Sequence, residues 1–388
     1  MFSINYRKIY QVAGGRLTNR NMRYIRQLDS IRAIAVLLVI ISHWISKDYF
    51  INWFPNGLLG VDLFFILSGF LITRILLDSR LKMESTQSDK FKVVLNFYGR
   101  RILRIFPIYY LTIFCLLIFH KFLDTRINNG FIYFMTYTTN YYFFKIKDWD
   151  KITSHMWSLS VEEQFYIIWP FIILFLRWKY IQRAIIFFII CGVLSQFIFR
   201  ATQFGDILAI SCFDAFGMGA LLAWQVTFNP VPMKRFYKIV SVAGLFAIIL
   251  LSFIATDRSY YFMLGRFAIR ILGLWVISHV LYREERINHS RWHFLNNPLL
   301  IRLGKISYGV YLYHLIIPTL LLKISESYLP FLMPLYRPGR IYLGMLLMLQ
   351  FLILIGLSAL SWRFLEKPFL RLKKYFRYGE ETDALATT

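Results

Sequence analysis

Long apolar runs recur from one end of this 388-residue chain to the other, and they restrict its fold more than any other feature. About ten of them can be drawn as membrane-spanning segments, several close to the ~20 residues needed to cross the hydrocarbon core. The segments are 29–46, 57–77, 104–120, 164–177, 184–199, 207–225, 239–256, 262–282, 306–323 and 341–364. The sequence therefore predicts an all-α polytopic helical bundle rather than a soluble domain with one anchor.

Positive charge is concentrated between the apolar runs. The formal net charge of +24 would by itself be compatible with a nucleic-acid partner. If the N-terminus is placed in the cytoplasm, 31 Lys and Arg residues fall on the cytoplasmic side and 11 fall in the opposite loops. The positive-inside rule accounts for this asymmetry, so we expect both termini to be cytoplasmic and expect no nucleic-acid partner.

The chain is expected to form one membrane domain. Its parts are a basic N-terminal segment, 1–28, a transmembrane domain, 29–370, and a C-terminal tail, 371–388. No small-residue cleavage site follows the first apolar run, which is therefore expected to be a retained anchor. Three cysteines lie in apolar runs without metal-ligand spacing, which predicts buried thiols and no metal site. They are Cys115, Cys191 and Cys212.

The first apolar run, RAIAVLLVIISHW, carries Arg32 near its start and His43 near its end. Eleven helical residues return to within about 20° of the same face and rise roughly 16 Å, so these side chains share a face but cannot touch. One extended ligand could meet both. The alternative is a snorkelling arginine and a hydrogen-bonded histidine at two membrane interfaces.

Two further stretches bring ionisable groups into or beside apolar segments. Asp62 in GVDLFFILSGFLIT is either a functional acid or a structural partner of an Arg or His. Arg100, Arg101 and Arg104 in FYGRRILRIFPIYY lie about one helical turn apart, with Pro107 predicted to end or kink the helix. Their partners would be anionic lipid headgroups or a phosphorylated cytosolic donor.

Polar side chains cluster in HMWSLSVEEQFYIIWP, residues 155–170. A serine that caps a helix would explain one of the two adjacent glutamates, whereas a surface that binds a polyol or moves protons would explain the whole set. The candidates in this stretch are Trp157, Ser160, Glu162, Glu163, Gln164 and Tyr166. His314, in ISYGVYLYH, is either a hydrogen-bonding residue of the bundle or a further site residue.

Six motifs in order resemble those of the acyltransferase 3 family of integral membrane acyltransferases, over nearly all of residues 26–370. They are RQLDSIRAIAVLLVIISHW, GVDLFFILSGFLIT, FYGRRILRIFPIYY, MWSLSVEEQFYIIWP, ISYGVYLYH and SWRFLEKPF. The chain departs from the family at Ser30, where Gly is more frequent, and at Tyr313, where Trp is common. Neither departure affects an ionisable group.

The resemblance implies transfer of an acyl group, expected to be acetyl, from cytosolic acyl-CoA to a hydroxyl of a surface or exported glycan. His43 is the expected general base or acyl carrier, because imidazole titrates near neutral pH. Arg32, Asp62 and Glu163 complete the expected catalytic set, in which Asp62 or Glu163 would fix the tautomer of His43 and stabilise its imidazolium. Arg32, Arg100, Arg101 and Arg104 are expected to hold the donor's phosphates. The expected substrate contacts are Trp157, Ser160, Glu162, Gln164, Tyr166 and His314.

On this interpretation acyl-CoA is a co-substrate and no cofactor is permanently bound. The expected location is the plasma membrane of a bacterium, where membrane lipids, the glycan or lipid-linked saccharide and polysaccharide-assembly proteins are the partners. Some members of the family carry a fused SGNH hydrolase-like domain. None follows in this sequence, which suggests that the membrane domain completes the transfer alone or passes the group to a separate partner.

Two other functions remain open from the residues alone. A lipid-linked glycosyltransferase would need acidic residues in the outer loops, where Asp148 and Asp150 are the only close pair. A glycan or lipid transporter would use the intramembrane charges along a translocation path.

Overall fold

The computed structural model describes residues 24–87, 89–228, 231–254, 264–286, 294–337 and 339–376. Eleven helices, numbered here in chain order, form the main part of the bundle in the described part of the chain. They are α1 (Arg26–Trp44), α2 (Asn56–Thr86), α3 (Lys90–Ile118), α4 (Met156–Phe175), α5 (Trp178–Ile198), α6 (Phe213–Phe228), α7 (Met233–Ile254), α8 (Arg266–Arg286), α9 (Ser307–Tyr313), α10 (Ile316–Ser327) and α11 (Arg340–Ser361). The all-α prediction is confirmed. Most of the predicted N-terminal segment and most of the tail, 1–23 and 377–388, lie outside the described residues.

The described helices that can cross a membrane are close in number to the ten or so predicted. Within the described ranges, eight helices are long and apolar enough to cross a membrane, or nine if the bent pair α9 and α10 counts as one span. The eighth predicted segment, 262–282, corresponds to α8, which is not among these helices. Two arginines, Arg266 and Arg270, enter the bundle on α8, where they are 4% and 0% exposed.

Two helices begin well before the apolar segments that predicted them. The helix α3 starts at Lys90 rather than at 104, with the Asp89 side chain accepting a hydrogen bond from the Phe91 N–H at 3.1 Å. It continues through Pro107, which was predicted to end or kink the helix. The helix α4 starts at Met156 rather than at 164. Hydropathy did not predict these beginnings because both contain polar residues. Those of α3 include exposed lysines, and those of α4 include cavity-lining Ser158 and Glu162.

Close helix contacts in the centre of the bundle depend on glycine. A Cβ at Gly69 of α2 would overlap the backbone of Phe216 in α6, and one at Gly219 would overlap the backbone of Ile66. The two helices therefore approach to backbone contact, as small residues allow in membrane bundles.

A buried ion-pair network joins α2, α6 and α8. The Arg270 Nε donates to Asp62 Oδ1 at 3.0 Å, and its Nη1 donates to Asp214. Arg266 lies 3.9 Å from the other Asp62 oxygen. Since buried charges need partners in a medium of low dielectric constant, this arrangement favours the structural interpretation of Asp62.

The prediction of three buried thiols is only partly right. Cys212 is buried, Cys191 is intermediate and Cys115 is exposed on α3. An apolar sequence position does not distinguish a side chain inside the bundle from one on its outer surface, because both environments favour apolar groups.

The ninth predicted segment, 306–323, is broken into α9 and α10, which are bent by 50° at His314. Pro318 lies in the first turn of α10 and has no N–H to donate to the His314 carbonyl, four residues earlier. That carbonyl instead accepts a hydrogen bond from the Trp44 indole at 2.8 Å. The break therefore attaches the end of α1 to His314.

Candidate active site

A cavity of about 290 Å³ lies between α1, α2, α3, α4 and α9. Its wall is apolar over much of its area and carries polar groups along its length. These are Tyr24, Asp29, Arg32, Ser68, Arg74, Arg101, Arg104, Ser158, Glu162, Tyr166, Ser307, Tyr308 and Tyr311. The cavity is thus built mainly by helices whose motifs were singled out in the sequence.

Four arginines, Arg32, Arg74, Arg101 and Arg104, line one part of the cavity and define its arginine end. Arg32 donates to Asp29 at 2.9 Å, an i, i+3 ion pair that orients the guanidinium. With four arginines and only two carboxylates on the described wall, the cavity carries excess positive charge suited to a polyanion.

Tyr24 and Arg100 lie near the arginine end but differ in whether they line the cavity. The Tyr24 hydroxyl donates to Asp29, and burial, together with that carboxylate, raises the pKa of Tyr24. Tyr24 therefore stays neutral and remains a donor. Arg100, predicted to bind the donor with its neighbours, does not line the cavity, and its guanidinium donates to the Phe376 carbonyl at 3.3 Å. Arg100 therefore contacts the C-terminal segment instead of lining the cavity.

A cluster of hydrogen-bonded groups follows along the cavity wall. Glu162 accepts hydrogen bonds from the Tyr166 hydroxyl, at 2.5 Å, and from Ser68. The Arg101 guanidinium lies 5.2 Å from the centre of the Tyr166 ring, within cation–π range. Two of the predicted substrate residues, Glu162 and Tyr166, therefore face the cavity next to an arginine.

Tyr311 and Ser158 line the part of the cavity nearest the histidines described next. Their hydroxyl oxygens are 2.6 Å apart, and Ser158 also donates to the His155 carbonyl at 3.0 Å. The Tyr311 ring lies 5.4 Å from that of His314. The cavity wall is thus in contact with residues that border the histidines.

Three histidines, His43, His155 and His314, form what we call the histidine cluster. The His43 and His314 ring centres are 5.0 Å apart, and those of His155 and His314 are 4.8 Å apart. His314 and His155 are 0% and 2% exposed, whereas His43 is exposed. Burial, with a smaller contribution from His43, lowers the pKa of His155 to about 3, so this ring is neutral at physiological pH.

The structure brings the two ends of the RAIAVLLVIISHW stretch into different surroundings. Arg32 lines the cavity at its arginine end, whereas His43 contacts His314 at the other end of α1. The described contacts do not pair His43 with Asp62 or Glu163, its expected partners. The His43 Nδ1 faces the Val39 carbonyl and His314, and Asp62 is bound to arginines.

Other predicted site residues lie away from the cavity. Ser160 is fully buried and bonds to the Thr139 hydroxyl at 2.8 Å, and Gln164 donates to the Tyr137 carbonyl at 2.8 Å. These contacts favour a structural role for both, holding the short helices of residues 131–146 against α4. Trp157 packs edge-on against a core phenylalanine, and Glu163 is 9% exposed and absent from the described cavity wall.

Sequence reasoning missed Arg74, Tyr311 and His155 as site residues. His155 immediately precedes the WSLSVEEQ stretch, and Tyr311 lies one helical turn before His314, so both were adjacent to recognised motifs. Arg74 follows the apolar GVDLFFILSGFLIT stretch directly and counted only as a topological charge. No local pattern distinguishes an arginine at a membrane interface from one that lines a cavity.

Comparison with known proteins identifies the bundle. A family model described as an acyltransferase domain matches residues 25–364. A protein of Staphylococcus aureus (strain COL), provisionally named O-acetyltransferase SACOL0978, is 31% identical over 380 residues, which cover 90% of this chain and 58% of the relative. Peptidoglycan O-acetyltransferase OatA of Listeria monocytogenes is 28% identical over 390 residues, covering 94% of this chain and 58% of the relative.

O-acetyltransferase OatA of Staphylococcus aureus (strain NCTC 8325) is 26% identical over 374 residues, which cover 89% of this chain and 57% of the relative. The chain thus spans less than two thirds of the length of these relatives. No solved structure matches it. Because the family model matches most of the chain, including Arg32 and all three residues of the histidine cluster, this chain belongs to the acyltransferase 3 family.

Proposed function

We propose that this protein transfers an acetyl group from acetyl-CoA to a hydroxyl group of a bacterial surface polysaccharide. The observation that carries the proposal is one cavity with arginines at one end and side chains bordering the histidine cluster at the other. The names of its relatives, which specify O-acetyl transfer and in one case peptidoglycan, support the acyl group and the class of acceptor.

The arginine end is suited to the phosphates of a CoA donor. Arg101 and Arg104, one turn apart on α3, line the same cavity as Arg32 of α1 and Arg74 of α2. Guanidinium groups form forked, charge-assisted hydrogen bonds with phosphate oxygens. From there the pantetheine arm would extend along the apolar wall past Glu162, over a distance comparable to the roughly 16 Å between Arg32 and His43.

His43 is the proposed general base. It removes the proton of the acceptor hydroxyl, whose oxygen attacks the thioester carbonyl. The C–S bond breaks, CoA leaves as the thiolate, and the proton passes from the imidazolium to that thiolate. A positioned base of this kind contributes about 10²–10⁴-fold to a rate. The exposure of His43, in contrast to the burial of His155 and His314, supports this role because an acceptor glycan can reach it.

The membrane orientation is part of the proposal. The excess of Lys and Arg on one side supports placing the arginine end in the cytoplasm, where acetyl-CoA is available. The exposed His43 would then face the outer side of a bacterial plasma membrane, where the polysaccharide is located. Glu162 and Tyr166, which line the cavity, are the predicted substrate residues best placed to meet a bound molecule.

The acidic pair required by the glycosyltransferase alternative has a structural explanation. Asp150 accepts hydrogen bonds from the Thr125 hydroxyl at 2.8 Å and from the Ile152 N–H at 2.9 Å, and Asp148 pairs with Arg126 at 2.7 Å. Both carboxylates organise their own loop. The acidic pair therefore gives the glycosyltransferase alternative no support.

The test supplies membranes containing the protein with acetyl-labelled acetyl-CoA and cell-wall polysaccharide, and follows the label by mass spectrometry. We expect ester-linked label in the polysaccharide with wild-type protein and none with His43→Ala at equal membrane abundance. A matched control is His120→Ala, since His120 also bonds to a helix carbonyl, that of Leu117, at 2.7 Å. Full transfer by the His43→Ala protein would contradict the proposed base.

Labelling from a lipid-linked sugar instead of acetyl-CoA would favour a glycosyltransferase. An exported glycan that is unchanged in mass but missing when the gene is deleted would favour a transporter.

A further inference from the structure

Among the described residues, the ring of His43 is held through one nitrogen, Nδ1. Its Nδ1 lies 2.9 Å from the Val39 carbonyl oxygen and 3.3 Å from the Nε2 of His314. A carbonyl oxygen only accepts hydrogen bonds, so Nδ1 carries the ring proton. The lone pair of the neutral ring is therefore on Nε2, which is the atom left to take a proton from an acceptor hydroxyl.

His314 is held in the same tautomer by the same kind of contact. Its Nδ1 lies 2.6 Å from the Tyr311 carbonyl, so Nδ1 is the N–H group and Nε2 carries the lone pair. That Nε2 is the atom that faces His43. A donor on His43 thus meets an acceptor on His314, and the two backbone carbonyls determine the direction of the hydrogen bond.

The position of His314 is fixed by a helix break and by a hydrogen bond to its backbone. It lies at the break between α9 and α10, where Pro318 leaves its carbonyl free and Trp44 donates to that carbonyl at 2.8 Å. Trp44 directly follows His43, so the same contact brings the two rings together. The side chain is fully buried, which excludes water as a competing partner for Nε2.

We propose that His314 is the positioning residue of the catalytic histidine, in the role that a carboxylate has in many histidine-dependent enzymes. This inference rests on the proposed function. When Nε2 of His43 takes a proton, the positive charge of the imidazolium is stabilised by the neutral acceptor on His314 and by the Val39 carbonyl. No carboxylate has to be buried for this purpose, which avoids the desolvation cost of an isolated charge inside the bundle.

Two amide substitutions test this assignment. In His314→Gln the amide oxygen can lie near the position of the lost Nε2, so the acceptor for His43 is retained. In His314→Asn the shorter amide reaches only the position of Nδ1, so the acceptor is lost although polarity is similar. His314→Met, which fills a similar volume and offers no strong acceptor, is a second acceptor-free variant. His120→Gln is the control for an amide replacing a histidine elsewhere in the bundle.

Initial rates of acetyl transfer are measured at varied acetyl-CoA concentration, with membrane abundance as the measure of folding. We expect His314→Gln to keep kcat within about threefold of the wild type. The Asn and Met variants should lose at least about 10-fold in kcat at unchanged KM. This loss is a part of the ~10²–10⁴-fold rate enhancement that a positioned base contributes. If one acceptor-free variant fails to reach the membrane, the other decides the result.

Equal losses in the Gln variant and in the acceptor-free variants would overturn the inference, because a packing role does not depend on where an acceptor atom lies. Full activity without an acceptor, or a change in KM alone, would overturn it as well. These results leave acetyl transfer by the wild-type protein intact. Absence of transfer by the wild-type protein would instead overturn the proposed function, and this inference with it.

Discussion

Replacing Arg32 with Ala should weaken the binding of acetyl-CoA far more than it slows the chemical step. Arg32 gives one guanidinium nitrogen to Asp29 at 2.9 Å and lines the cavity, so further N–H groups remain for a phosphate. A hydrogen bond to a charged group contributes about 1.5–3 kcal/mol. That range corresponds to an increase of about 10- to 150-fold in the KM for acetyl-CoA.

The assay is the initial rate of labelled acetyl transfer at varied acetyl-CoA concentration, with membranes matched for protein content. Arg32→Lys keeps the charge but not the fork, so its KM should lie between those of the wild type and Arg32→Ala. Arg126→Ala is the matched control, because Arg126 pairs with Asp148 while 63% of its side chain is exposed. Its KM should equal that of the wild type, since exposed ion pairs contribute little.

Loss of Arg32 also leaves Asp29, only 5% of whose side chain is exposed, without its ion-pair partner. The double substitution Arg32→Ala with Asp29→Asn removes that unpaired charge. If donor binding is the main effect, the double variant keeps the high KM. Recovery of a normal KM in the double variant, an unchanged KM in Arg32→Ala, or a loss confined to kcat would each refute the assignment of Arg32 to the donor.

Three further changes probe the bundle that supports the site. Arg270→Ala should destabilise the protein by about 3–5 kcal/mol by leaving buried carboxylates unpaired, so an unchanged melting temperature in detergent would contradict the network. Gly69→Leu should cost at least about 1–3 kcal/mol because its Cβ meets helix backbone. Gly356→Leu should have little effect because no described atom lies within 4 Å of that Cβ. Trp44→Phe leaves the His314 carbonyl without its donor, and kcat should fall while KM stays constant; an unchanged kcat would argue against this anchor.

The helical architecture could be predicted because it depends on local composition. Apolar runs of sufficient length located nearly every helix that can span a membrane, and helical geometry placed Arg32 and His43 on one helix. The errors occurred where polar residues lie inside a helix, as at the beginnings of α3 and α4. Hydropathy records how well a side chain suits lipid. It does not predict the exposed lysines at the beginning of α3, nor the serine and glutamate side chains of α4 that face protein or the cavity.

The sequence by itself determined that this chain is a membrane helical bundle with a basic side, and that Arg32 and His43 belong to one helix. The tertiary structure decided their partners. His43 meets His314, 271 residues away, and Asp62 meets Arg270, 208 residues away. Such pairs depend on which helices pack together and on the break before Pro318. A motif shows that an ionisable residue is present in a segment; only packing shows which other group lies within hydrogen-bonding distance of it.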